Sequence, residues 1–149
     1  MEAIIFIGIQ ATGKSTFFQQ RFFDTHVRIN LDMLKTRNRE RILLDACLAA
    51  KQPYVIDNTN LTRAARAGYI SQVKAAGFSV TGYYFKSALQ AALERNRRRS
   101  GKSLIPEKGI LGAYWKLELP SLDEGFDRLF YVEIAEDGQF IVKEWSDEV

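Results

Sequence analysis

Four short apolar, β-prone runs recur along the first part of the chain: AIIFI at Ala3–Ile7, VRIN at Val27–Asn30, YVID at Tyr54–Asp57 and SVTGYYF at Ser79–Phe85. Between and after them lie longer stretches with helical patterning, roughly Lys14–Phe23, Asp32–Ala50, Thr62–Ala76, Ser87–Arg99 and Glu107–Leu117. Strands alternating with helices predict a mostly parallel sheet flanked by helices. Gly77 is a C-terminal signal for the third helix. Ser87 and Gln90 have the S-x-x-Q spacing of a capping box that would open the fourth. The runs LFYVEI and QFIVKEW around Asp137-Gly138 predict a closing hairpin. No repeat, low-complexity segment or linker interrupts the pattern, so one α/β domain over residues 1–149 is expected.

Composition narrows the class only slightly. Hydrophobic residues make up 46% and charged residues 26%, ordinary for a soluble globular chain. The net charge of +3 is compatible with an anionic substrate and does not identify one. Cys47 is the sole cysteine, which excludes an intrachain disulfide and makes a reducing cytoplasm the expected compartment, with a buried structural thiol. His26 is the one histidine, so a zinc site has nothing to build on. No apolar stretch is long enough to span a membrane. The N-terminal run is short, has no basic residue ahead of it and leads into a polar loop, so no signal peptide is expected.

That loop is GIQATGKST, Gly8–Thr16, and it carries the clearest chemistry. Gly8, Gly13, Lys14 and Ser15 fit G-x-x-x-x-G-K-[ST], placed as required between a strand and a helix. Backbone N–H groups through Gln10, Ala11 and Thr12, with the start of the helix at Thr16, would cradle the β- and γ-phosphates of a nucleoside triphosphate. The two glycines permit the backbone path, Lys14 would neutralise phosphate charge, and the Ser15 hydroxyl would bind Mg²⁺. The expected cofactors are ATP, as donor, and Mg²⁺. A guanine-reading N-K-x-D is absent, and the chain lacks the length and signature segment of a transporter ATPase.

A kinase acting on a hydroxyl benefits from a carboxylate that accepts the proton. Ligands of open α/β sheets lie beyond the carboxyl ends of the strands, where Asp32 and Asp57 fall. A helix N-cap would explain Asp32 equally well, and the two roles can coexist. Arg95 and Arg99, i and i+4 in ERNRRRS, share a face, with Arg98 beside Arg95. A basic last turn complementing the helix dipole is the alternative. The glycine-containing SGKSLIP that follows predicts a mobile lid over about residues 95–106.

Taken together, GIQATGKST, Asn30 with Asp32, IDNTN (Ile56–Asn60) and ERNRRR followed by Pro106 resemble the kinase domain of polynucleotide 5′-hydroxyl kinases, found in phage and animal DNA/RNA-repair enzymes. Arg66, Tyr69, Ala75–Gly77 and LPSLDEGF (Leu119–Phe126) continue the likeness over nearly the whole chain. The resemblance implies a P-loop kinase domain in which Lys14 and Ser15 handle the triphosphate and Mg²⁺. It makes Asp32 the general base on the acceptor 5′-hydroxyl, and Arg99, with Arg95, the lid arginines on the donor phosphates. It puts Lys35 where the phage enzyme has an arginine on the acceptor strand's phosphate. It assigns Asp57 to the acceptor side, or to Mg²⁺ through water, and Thr59 and Ile105 to the terminal nucleobase. Leu31 departs from the arginine that many relatives carry before the base. Lys35 is a point charge rather than a planar fork. The D-x-D-x-[TV] phosphatase signature is absent, so no 3′-phosphatase activity is expected.

The leading expectation is therefore an ATP-dependent kinase whose partner is a 5′-hydroxyl DNA or RNA end, with no membrane and no required protein partner. The second keeps the mechanism and moves the phosphate to a small-molecule hydroxyl on a sugar acid, nucleotide sugar or antibiotic; zeta-toxin-like kinases resemble this chain in the same loop and base. Absence of stacking aromatics at the acceptor would favour it. The third is a nucleotide-binding module without turnover.

Overall fold

The computed structural model describes residues 1–101 and 104–146. Its elements are β1 (Glu2–Ile7), α1 (Lys14–Arg21), β2 (Val27–Ile29), α2 (Leu31–Leu34), α3 (Arg37–Ala50), β3 (Tyr54–Ile56), α4 (Arg63–Ala75), β4 (Ser79–Phe85), α5 (Leu89–Arg97), α6 (Glu107–Lys116), a 3-10 turn at Leu122–Glu124, β5 (Arg128–Ile134) and β6 (Phe140–Glu144). The strands form one sheet in the order β2-β3-β1-β4-β5-β6. All neighbours are parallel except the β5–β6 hairpin.

Strand β1 is central, in register with both β3 (Ile5 opposite Ile56) and β4 (Ile5 opposite Gly82). Ala3–Ile7 are essentially inaccessible, which explains an unbroken apolar run rather than an alternating one. Ile5 and Ile7 pack with Leu44 and Cys47 of α3 and Ile70 and Val73 of α4. Ile4 and Phe6 pack on the other face against Phe17, Phe18 and Phe22. Cys47 is buried as expected, and His26 is satisfied between Thr25 and Glu2.

Two helix boundaries differ from the sequence pattern. The stretch Asp32–Ala50 is broken, because Lys35 takes φ +74° and Thr36 restarts the helix, its hydroxyl accepting from Arg39 N at 3.1 Å. A side-chain cap within the segment competes with continued helix, and apolar spacing does not reveal it. The expected Ser87–Gln90 box is not made: α5 starts without a side-chain cap. Ser87 Oγ instead accepts from the buried Ile9 N (3.1 Å) and donates to Phe85 O (2.9 Å). A buried N–H left unpaired would cost more than a helix end near the surface. The expected lid, about residues 95–106, includes Lys102 and Ser103, which lie outside the described residues.

Arg66 of α4, wholly buried, ties the far end of the chain to the middle. Its Nε and Nη2 donate to both oxygens of Glu124 (2.8 and 3.1 Å), and Nη1 donates to the Asn60 and Glu118 carbonyls. Glu124 also accepts from Ser121 N in the capping box of the 3-10 turn, which gives LPSLDEG a structural reason. Arg66→Met should therefore destabilise the domain by about 3–5 kcal/mol, since it strands a buried carboxylate. Urea unfolding followed by far-UV circular dichroism measures the loss; a change under about 1 kcal/mol would refute this role.

Candidate active site

Because β1, β2 and β3 run parallel, their carboxyl ends deliver three segments to one edge: Gly8–Thr16 after β1, Asn30–Asp32 after β2 and Asp57–Asn60 after β3. Between them opens a cleft of about 350 Å³. Gln10, Ala11, Gly13, Lys14, Ser15 and Thr16 form one wall. Leu31, Asp32, Asp57 and Thr59 form the other, with Arg99 and Ile105 at the rim.

The loop is shaped by its neighbours. A Cβ on Gly8 would meet the Phe85 carbonyl oxygen at 3.0 Å. At Gly13, φ is +95° and a Cβ would lie 2.8 Å from the Phe140 ring and 3.1 Å from Ile134, so the C-terminal hairpin presses on the loop's second glycine. Gly8 N donates to Thr59 O (3.0 Å) and Thr12 Oγ1 to Ile9 O (2.8 Å). Ala11 holds φ +62° without being glycine, a left-handed position the motif does not announce.

Lys14 Nζ donates to the carbonyls of Gly8 (3.0 Å) and Ile9 (2.7 Å), folded back onto its own loop. Burial pushes its ammonium down to about 8, opposed by Asp57, reinforced by Arg99 and opposed again by Asp32. These are the charges that the resemblance assigns to the reaction. Arg95 Nη1 donates to Ala11 O (3.2 Å), so this arginine is docked on the loop. Gln10 Oε1 is buried without a partner, in a wall that a phosphate-bearing ligand would fill.

Asp57, 2% exposed in its side chain, points to the loop rather than outward: its Oδ2 accepts from Ser15 Oγ (3.4 Å) and Arg28 Nε (2.8 Å). A hydroxyl and a carboxylate together suit Mg²⁺, a hard cation that takes oxygen ligands. Asp32 is the second residue of α2, and the cap is Asn30, whose Oδ1 accepts from Met33 N (3.0 Å) while its amide donates to Asp57 O. The Asp32 carboxylate is thus exposed in the cleft and not used as a cap. Lys35, at the C-cap of α2, is exposed and outside the cleft walls.

Three functional neighbours escaped the sequence reading. Arg28 reads as a lone charge in a short strand; a cation inside an otherwise apolar strand was its one signal. Asn58 accepts from Leu31 N (2.9 Å), beside Asp32, and donates to the buried Glu40. Glu40 also accepts from Tyr69 OH (2.8 Å) and Arg37 (3.1 Å), and Tyr69 is pushed up to about 12, by burial first and then by Glu40. Beyond Leu31, Asn58 and Thr59 a second cavity of about 670 Å³ opens between α3 and α4, edged by Arg37, Arg41 and Lys116.

A phosphate-cradling loop at the end of a central parallel strand, with a carboxylate set against its serine, defines a P-loop kinase-like domain and implies nucleotide binding. The chain belongs to the AAA domain family, which matches residues 4–113. It is 25% identical over 129 residues to the bifunctional polynucleotide phosphatase/kinase of Schizosaccharomyces pombe. That match covers 84% of this chain and 32% of the relative's length. Similar solved structures are a sugar kinase from Janibacter sp. (TM-score 0.66, 17% identity, 88% of this chain and 85% of that one). Kti12 of Chaetomium thermophilum, in complex with ADP-AlF3, is similar too (0.63, 17%, 91% and 92%), as is a gluconokinase from Sinorhizobium meliloti (0.59, 18%, 91% and 83%). These three share the fold. No helix among the described residues is long and apolar enough to cross a membrane.

The Lys14 shift has a measurable sign. Between about pH 8 and the ordinary lysine value of 10.5, the unfolded chain binds a proton that the folded protein has released. Stability must therefore rise with pH across that window, because the cost of a buried ammonium is removed. Urea midpoints of wild type should gain on those of Lys14→Met between pH 8 and 10. A constant difference would show that Lys14 titrates normally.

Proposed function

We propose that this domain is an ATP-dependent kinase that transfers the γ-phosphoryl group to the 5′-hydroxyl of a DNA or RNA strand. The observation that carries the reading is Asp32, exposed across the cleft from the phosphate loop and relieved of capping by Asn30.

Loop N–H groups and Lys14 hold the β- and γ-phosphates, for which Lys14 exchanges the Gly8 and Ile9 carbonyls for phosphate oxygens. Ser15 and Asp57 would hold Mg²⁺, which would supply charge neutralisation for the leaving ADP. Asp32 orients the acceptor hydroxyl and takes its proton as the new P–O bond forms and the bond to ADP breaks. Arg99 and Arg95 close over the transferring group.

The nucleic-acid acceptor is supported by the fungal phosphatase/kinase relative and by the cavity between α3 and α4. Arg37, Arg41 and Lys116 at its edges suit the phosphates that follow the terminal nucleotide. Leu31, Thr59 and Ile105 would take its base. Lys35, at the C-cap of α2 that carries Asp32, would meet a phosphate. One observation favours a small-molecule hydroxyl instead: no aromatic ring is among the residues that line the cleft around Asp32, and Tyr69 stands only in the neighbouring cavity.

Transfer of labelled γ-phosphate to 5′-hydroxyl DNA and RNA oligonucleotides, beside sugar acids and nucleotide sugars, decides between them. Labelled oligonucleotide ends are expected, with kcat about 10²–10⁴-fold lower in Asp32→Asn and ATP affinity retained. Label on a small molecule alone would keep the mechanism and discard the nucleic acid. ATP binding without turnover on any acceptor would leave a binding module. KM for an oligonucleotide should also rise steeply with salt, and more so than KM for a dinucleotide, because longer strands engage more cations.

A further inference from the structure

The two residues that the proposed mechanism gives to Mg²⁺ are already bridged by a cation of the protein. Arg28 Nε donates to Asp57 Oδ2 at 2.8 Å, and Arg28 Nη2 donates to Ser15 Oγ at 3.0 Å. Ser15 Oγ in turn donates to the same Asp57 oxygen at 3.4 Å. Guanidinium, carboxylate and hydroxyl thus close a triangle at the mouth of the phosphate loop. A carboxylate as buried as Asp57 is costly without a counter-charge, and Arg28 supplies it. Lys14 also feels the Asp57 charge, but its ammonium makes its hydrogen bonds to the Gly8 and Ile9 carbonyls.

We propose that Arg28 is the resident cation of the metal position, and that a divalent ion enters by displacing its guanidinium from Ser15. The inference rests on the reading of Ser15 and Asp57 as the metal's protein partners. An Mg²⁺–oxygen bond is about 2.0–2.1 Å long, so an ion on Ser15 Oγ would sit within a few ångströms of Nη2. There it would compete for the same lone pairs and repel the guanidinium charge. Arg28 has somewhere to go: its side chain is 29% exposed on β2, an edge strand of the sheet. The consequence is a site that stays neutralised while empty and binds a divalent ion poorly on its own. Donor phosphates arriving with the metal tip the exchange, since they add negative charge that both cations can share. Arg28 therefore favours loading of metal and nucleotide together over loading of metal alone.

Mn²⁺ is the probe, read by the loss of its free electron paramagnetic resonance signal, with the ADP-bound protein. Arg28→Gln should bind Mn²⁺ about tenfold or more tighter than wild type, because a competing charge-assisted bond is gone. Mn²⁺ alone should raise the melting temperature of Arg28→Gln while leaving that of wild type unmoved, as the ion replaces the missing counter-charge on Asp57. Equal or weaker Mn²⁺ binding by Arg28→Gln would overturn the proposal. Should that variant not fold, wild type suffices: the Arg28 Nε–Hε resonance should move when Mg²⁺ is added to the ADP complex, and a stationary resonance overturns the proposal. Ser15→Ala separates the underlying reading. If it binds Mn²⁺ with ADP as tightly as wild type, Ser15 is not a metal partner, and that assignment fails whatever Arg28 does.

Discussion

Strand β1 is hydrogen-bonded on both sides and covered on both faces, and that double burial governs the rest of the molecule. A strand so enclosed can offer its chemistry only where it ends. The backbone polar groups of the turn that follows must then be satisfied by whatever the adjacent strands bring to the same edge. Thr59 O receives Gly8 N, Ser87 Oγ receives Ile9 N, and the Asn60 amide donates to Phe6 O. The loop is therefore held from both flanks by segments far away in sequence.

Within that frame, the loop is surrounded by the protein's own cations. Lys14 lies on two loop carbonyls, Arg95 on a third, and Arg28 on the serine and aspartate at the mouth. Each cation is held by an oxygen of the protein. On the proposed reading, ligand binding would be an exchange of partners for these side chains. The lowered Lys14 pKa reflects the same arrangement, since an ammonium buried among carbonyl dipoles lacks the full counter-charge that phosphates bring.

Much of this was legible in the residues. The strand runs from Ala3, Val27, Tyr54 and Ser79, the phosphate loop and the closing hairpin are local patterns, with a period or a motif contained in a few residues. What escaped were side chains whose partners lie far along the chain. Ser87 has the spacing of a helix cap but answers to Ile9. Asp32 reads equally as a cap or a base, and it is Asn30, two residues earlier, that takes the cap. Arg28 and the Glu40–Asn58–Leu31 connection have no local signature at all, because each acquires its meaning only when β2, β3 and α3 are side by side. The break at Lys35 lies between: Thr36 is a good cap, but the apolar spacing runs across it without interruption.

The pressure of Phe140 and Ile134 on Gly13 has a bearing on how such a chain comes into being. Synthesis proceeds from the amino end, so residues 8–16 leave the ribosome well before Ile134 and Phe140, the side chains that confine them. Until β6 pairs with β5, the glycine turn has open space where its buttress belongs, and nothing on that side holds its left-handed backbone. A nascent chain would thus own its most recognisable sequence long before it owned a working cradle, and pairing of β5 with β6 would be the event that converts one into the other.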